Sequence, residues 1–428
     1  MLALLVLAGL TTGTFYPLTL SIVLRNLPIK YVLLGIAMYA MDVVITLNIS
    51  TSLVAWYTNH LSWHWIFWNS AVLTPVMMVF IYFGVPWQPL PKPKEGQPKP
   101  SWPGFFYLSL GLTLLYIALA QGQRLNWMNS ATIIALVVTG LFLLLVAVVG
   151  HLRLRHTLIN LKFLMRRNTL LLGLILVFFE FALLPTLLLL PNYLGTVQSY
   201  RPLQIGPVML WAALPQCIFG ILAMYLLKYI DARLILTAGF TLIAIACLMN
   251  AQLSSAWSGA NFLPSQAVMS VGLALGFNAL VGVIILDIVN SGHLSRPIDA
   301  LTFGGFFQTV RLIGGQIGSA FMVYFLTVRE QFHSNILGLG VQLGDLATRQ
   351  RLFLLSAAMD PHSTGANVAI GRASEILDQQ VRQQAFTLAI TDGFMLIAWA
   401  AVCCLIVVAC VSRVPTQFRE VVSAAKAH

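Results

Sequence analysis

Four side chains in this 428-residue chain stand where a bilayer would bury them, and they hold most of the chemistry it offers. Glu180 lies eleven residues into the apolar stretch 169–192. At about 1.5 Å per residue that is ~17 Å deep, close to the middle of a ~30 Å hydrocarbon core. An ionised carboxylate is costly there, so Glu180 must face a cavity or a partner, and it is suited to carry a proton. The alternative is a protonated Glu held in a structural hydrogen bond. Pro185 follows and frees the carbonyl of Phe181, which bends the helix where a site could form. Arg311, ten residues into 301–327, has Gln308 at i−3, Gly315 at i+4 and Gly318 at i+7. A cation on the same face as glycines points into the bundle, where it pairs with an acid or binds an anionic group. Gly314, Gly315 and Gly318 allow close helix contact. Asp42, in 31–55, is followed by Thr46 and Ser50 at i+4 and i+8. That stripe suits either a polar contact in a functional site or ordinary helix-to-helix hydrogen bonding.

Other polar residues read more plainly. Asp287 and Asp392 fall near span ends, where solvation is cheap, and His64 with Trp63, Trp65 and Trp68 forms an aromatic belt. The cysteines Cys217, Cys247, Cys403, Cys404 and Cys410 lie in apolar spans without CxxC or metal spacing, and read as packing residues. With no phosphate loop, His/Cys cluster or nucleophile elbow, the sequence predicts no bound metal, no cofactor and no enzyme.

Eleven apolar stretches position these residues: 2–24, 31–55, 64–85, 104–121, 130–150, 169–192, 205–227, 232–251, 264–287, 301–327 and 386–411. Each is near the ~20 residues that cross a bilayer, so an all-α polytopic membrane protein is expected. Charged residues make up 9% and hydrophobic ones 59% of the chain, against ~25% and ~45–50% in soluble domains. The net charge of +11 is no nucleic-acid signal, because the basic residues sit in short loops beside the membrane. They also alternate. Arg25 and Lys30; Lys92, Lys94 and Lys99; Arg153, Arg155, Lys162, Arg166 and Arg167; Lys228 and Arg233; Arg296; and Arg413, Arg419 and Lys426 share one side. The short loops of the other side hold only Arg124 and Arg201. The positive-inside rule then places the C-terminus in the cytoplasm and residue 1 outside.

Two breaks organise the chain. Residues 86–103 are rich in Pro and Lys and read as a cytoplasmic linker; 151–168 are basic with apolar residues at helical spacing and suit a helix on the cytoplasmic face. The expected units are 1–85 with three helices, the linker 86–103, two extra helices in 104–150, the interfacial segment 151–168, a six-helix bundle in 169–411, and the tail 412–428. An irregular outer loop, 328–385, interrupts the bundle, and its 371–385 stretch leads as a helix into the final span.

The pattern LTFGGFFQTVRLIGGQIGSA at 301–320 resembles the penultimate helix of the fourteen-helix drug/proton antiporters of the major facilitator superfamily, usually close to N-x-x-R-Q-x-G-G-S-I-G-x-A. Arg311, Gly314, Gly315, Ile317, Gly318 and Ala320 match it. WHWIFW at 63–68 is similar to the start of that family's sixth helix, and GLTTGTFYPLTL at 9–20 to its fourth. QQAFTLAITDGF at 383–394 is similar to the start of its last helix. KYIDARLILTAGF at 228–240 resembles its second inner-loop motif, with Asp231 and Arg233 at the acidic and basic positions. The resemblance covers essentially the whole chain. It implies two helical bundles around a central cavity, alternating access, and export of small amphipathic compounds in exchange for protons across the cell's inner membrane. The expected partners are the substrate, protons and the lipid bilayer, with a periplasmic adaptor as a further candidate. Alternatives are a relative with another substrate or no proton coupling, and a membrane protein without transport activity. The resemblance also departs at three places. The family's first three helices have no counterpart, which leads to the expectation that about three N-terminal helices are missing. The fourth-helix arginine would fall at Leu5, and the fifth-helix motif G-P-x-x-G-G at Ser50 to Ala55. Fold is therefore implied more fully than coupling.

Overall fold

The computed structural model describes residues 29–85, 102–153, 164–290, 297–342, 344–359 and 366–412, with isolated positions between 6 and 22. Among the described residues ten helices are long and apolar enough to cross a membrane, matching ten of the eleven expected stretches. The remaining one, 2–24, lies largely outside the described residues, as do the linker 86–103, most of 151–168 and nearly all of the tail. Apolar length in a bilayer forces this outcome, since every backbone group must be satisfied within its own helix.

The helices are α1 (Ile29–His60), α2 (Trp65–Gly84), α3 (Trp102–Gln121), α4 (Ala131–Arg153), α5 (Arg167–Thr196), α6 (Pro202–Leu226), α7 (Ala232–Asn250), α8 (Leu263–Asn290), α9 (Pro297–Leu339), α10 (Leu346–Met359) and α11 (Ala366–Cys410). Helices α5 to α9 and α11 pack as one bundle, α1 docks on α6 and α8, and the α3–α4 hairpin pairs with itself and touches α9. The bundle core is aromatic. Phe179 of α5 stacks on Phe277 of α8 with centroids 4.8 Å apart, and Phe240 of α7 meets Phe179 edge-on.

Lipid tails are as apolar as leucine, so helix pairing depends on close packing at small residues. The crossing of α7 and α8 shows this. A Cβ added to Gly239 would stand 2.6 Å from the backbone N of Gly276, and one on Gly272 would stand 3.0 Å from the carbonyl O of Gly239. Gly239→Val is therefore expected to force the two helices apart and to cost about 1–3 kcal/mol or more, as core overpacking does. Gly371→Ala, with nothing within 4 Å of the new methyl, is the control. Thermal unfolding of the purified variants in detergent checks this, and a Gly239→Val melting temperature equal to the control's would contradict the packing described.

The region expected as an irregular loop at 328–385 is helical in its described part. Helix α9 runs on to Leu339, α10 lies beside α11, and α11 starts at Ala366 as one helix through the predicted 371–385 segment. Arg351 of α10 donates to Gln380 of α11 at 2.9 Å. The sequence pattern missed α9's extension because beyond residue 327 the helix leaves the apolar window that defines a span, while its backbone bonds continue.

Candidate functional site

Helix α5 does not run straight through the bundle. Its regular turns end at Leu184, and Pro185–Leu189 forms a π-helical turn before Leu190–Thr196 resumes. Pro185 has no N–H to give to the Phe181 carbonyl, and the wider turn is the local adjustment. The deformation lies one turn beyond Glu180.

Facing it is the glycine surface of α9. A Cβ on Gly314 would meet Val177 at 3.2 Å, one on Gly318 would meet Phe181 at 3.3 Å, and one on Gly315 would stand 3.1 Å from Glu180 Oε2. Val177, Glu180, Phe181 and Leu184 are spaced i, i+3, i+4 and i+7, so a single face of α5 lies on the glycines. The close approach brings Arg311 Nε to 3.7 Å from Glu180 Oε1, with both side chains only 12% exposed. This is ion-pair distance and longer than a hydrogen bond. Among the described residues the Glu180 carboxylate makes no hydrogen bond, and its charged neighbour is Arg311. Gln308, one turn back on α9 and 7% exposed, keeps its Oε1 without a hydrogen-bond partner among the described residues. That amide oxygen is available to a solute or a water.

Asp42 is not brought to this pair. It is exposed on α1, where Thr46 Oγ1 donates to its Oδ1 at 3.4 Å, and Ser50 Oγ donates to the Leu47 carbonyl at 2.8 Å. The buried positions of α1 include Tyr39, Val43, Asn48 and Ala55 instead, and Met41 and Ser52 lie against Gly220 and Gly206 of α6. The stripe of polar residues is satisfied within its own helix.

Asp231 and Arg233 sit at the opposite end of the bundle from the α9–α10–α11 extension. Asp231 caps α7, its Oδ1 accepting the Arg233 N–H at 3.0 Å, and the two side chains pair at 3.4 Å. Arg233 Nη1 also donates to the Val411 carbonyl at 3.0 Å, and Arg167 Nη2 to that of Cys410 at 3.4 Å. Two cations therefore hold the carbonyls left open at the end of α11, where the helix dipole favours positive charge.

One cluster went unseen in the sequence. Asp392, read as an ordinary residue near a span end, accepts from Arg329 Nε at 2.7 Å, and its Oδ2 also lies 2.7 Å from His333 Nε2. The acid is half-buried and paired, because α9 and α11 continue side by side past the apolar window and bring Arg329 and His333 to it. The i, i+4 spacing of Arg329 and His333 was the available signal. Among the described residues no group of His, Cys, Asp and Glu could hold a metal ion, and all five cysteines are free.

Comparison with known proteins bears on the whole chain. The family model described as Major Facilitator Superfamily matches residues 1–319. The fatty acid resistance protein FarB of Neisseria gonorrhoeae is 23% identical over 403 residues, covering 91% of this chain and 73% of that protein. The probable multidrug resistance protein EmrY of Escherichia coli K12 is 24% identical over 344 residues, covering 77% and 62%. The multidrug export protein EmrB of Haemophilus influenzae is 24% identical over 348 residues, again 77% and 62%. The chain thus spans somewhat under two thirds of the length of EmrY and EmrB. A match over three quarters of the sequence, on a bundle of ten membrane-spanning helices, leads to one conclusion: the chain belongs to the Major Facilitator Superfamily.

Proposed function

We propose that this protein is a multi-pass inner-membrane transporter that exports small amphipathic compounds in exchange for protons, with its C-terminus in the cytoplasm. The observation that carries the reading is the Glu180–Arg311 pair, 3.7 Å apart at the deformed crossing of α5 and α9. With Glu180 ionised, its charge and that of Arg311 hold the two helices together across the glycine face. A proton added to a Glu180 oxygen cancels the negative charge and removes the Coulomb attraction, which frees α5 to move against α9. Helix pairs that separate and rejoin with proton occupancy are what alternating access requires. Gln308 lies one turn away as a polar contact for the solute. The names of the relatives, which refer to multidrug export and fatty acid resistance, support amphipathic compounds as the cargo.

The test is flux through proteoliposomes containing the full chain. An amphipathic fluorescent quaternary ammonium dye, which has no neutral form to diffuse across and be trapped by protonation, is expected to accumulate when the lumen is acid relative to the bath, and to stop accumulating when an ionophore collapses the gradient. Equal flux with and without the gradient would remove proton coupling from the proposal, and no flux above protein-free vesicles would remove transport.

A further inference from the structure

The α3–α4 hairpin packs closely on itself, a Cβ on Gly111 standing 3.0 Å from the Gly140 carbonyl O, and it touches the bundle at α9. The turn that joins its two helices reaches that contact in strained backbone. Asn126 and Trp127 are both left-handed, at φ 61° and 48°. A bulky residue seldom adopts this conformation, and it persists where the surroundings fix the side chain in one place. Gly122 leaves the room for it, since a Cβ there would stand 2.5 Å from the Trp127 ring. Trp127 Nε1 then donates to Gln123 Oε1 at 3.0 Å, and Gln123 Nε2 donates to Thr327 Oγ1 of α9 at 3.3 Å. The Trp127 ring also meets Tyr324 of α9 edge-on, with centroids 6.3 Å apart.

The helical repeat shows which side of α9 is held. At ~100° per residue, Tyr324 and Thr327 lie about 220° and 160° around the helix from Arg311, whereas Gly315 and Gly318 lie within ~40° of it. The hairpin turn therefore grips the back of α9, and α5 lies on the front. One turn before Tyr324, Phe321 faces Phe181 of α5 with centroids 6.3 Å apart, and Phe181 is the neighbour of Glu180 in sequence. Rotation of α9 about its axis would carry Arg311 away from Glu180, and a grip on the back of the helix opposes that rotation.

We propose that Trp127 and Gln123 are positioning residues, which hold the back of α9 so that Arg311 faces Glu180. The inference rests on the reading of that pair given above. It gives the hairpin a part in the function, as the buttress of the helix that carries the arginine.

The test is the coupling between Glu180 and Arg311. Thermal unfolding in detergent of the full chain, Glu180→Leu, Arg311→Leu and the double variant yields it, and the same four proteins are compared with Trp127→Ala added to each. Trp127→Ala is expected to remove half or more of the coupling. Trp127→Phe, which keeps a ring against Tyr324, is expected to retain most of it. Tyr324→Ala lies on the α9 side of the contact and at a side chain already 50% exposed. It is expected to act like Trp127→Ala, and serves if that variant fails to fold. In proteoliposomes both alanine variants are expected to lower the ratio of gradient-driven to downhill flux, which a loss of folded protein alone would leave unchanged. Coupling of the same size with and without the two alanine substitutions overturns the proposal, and additive losses in the unmodified chain overturn it together with the pair. A coupling that falls, in a chain whose flux ignores the proton gradient, upholds the positioning role and removes the proton reading instead.

Discussion

Glu180→Gln is expected to reduce gradient-driven flux to the level of protein-free vesicles while leaving a folded protein. Glutamine keeps the length and shape of glutamate, so packing of α5 on the glycine face of α9 survives. What disappears is the one group, among the described residues at this crossing, able to change its charge by taking up a proton. Downhill movement of solute in the absence of a gradient is a separate quantity. It is expected to persist in the variant, because the helices remain free to rearrange. The measurement compares both fluxes at matched protein content, with a melting temperature for each sample. Gradient-driven flux equal to that of the unmodified chain would assign the proton to another residue and leave Glu180 a structural role.

Glu180→Leu is expected to have the largest effect on stability, and its size follows from an asymmetry between the partners. A carboxyl left without its cation can take up a proton and become neutral, whereas a guanidinium cannot lose one. Replacing Glu180 by Leu takes from Arg311, 12% exposed, the acid that stands 3.7 Å away and puts an apolar side chain in its place. Breaking a buried pair in this way typically costs about 3–5 kcal/mol. Arg311→Leu is expected to cost less, and the double variant to recover most of the loss, since two apolar side chains replace two charges. Thermal unfolding of the four proteins in detergent gives the coupling directly. Additive losses would mean that the two residues do not interact.

The crossing also explains why glycine stands at 315. A methyl there would sit 3.1 Å from Glu180 Oε2, tighter than ordinary van der Waals contact, so the side chain that holds the charge would have to shift. Glycine at this position serves the ion pair as well as the helix packing that the sequence suggested. Asp231 likewise has a definite role in the structure, as the cap of α7, in addition to its place in the loop pattern.

The sequence alone determined which segments are long and apolar enough to span a membrane, where Glu180 and Arg311 fall within them, and that Arg311 shares a face with Gly315 and Gly318. These are properties of windows of about twenty residues. A bilayer of fixed thickness reads them locally, because apolar length and the position of a charge within it need no knowledge of neighbouring helices. Tertiary structure decided which residues meet. That Glu180 finds Arg311 depends on how α5 and α9 are rotated about their axes, and the glycines of one helix and the proline-induced turn of the other set that rotation jointly. The same holds for Asp42, whose stripe looked suited to the interior, whereas α1 meets α6 through Met41, against Gly220, and Ser52, against Gly206. Asp392 shows the limit most clearly. Hydropathy places it near the end of a span, but helical backbone bonds carry α9 and α11 past that boundary together, and only their contact turns a nominally solvated acid into the partner of Arg329 and His333.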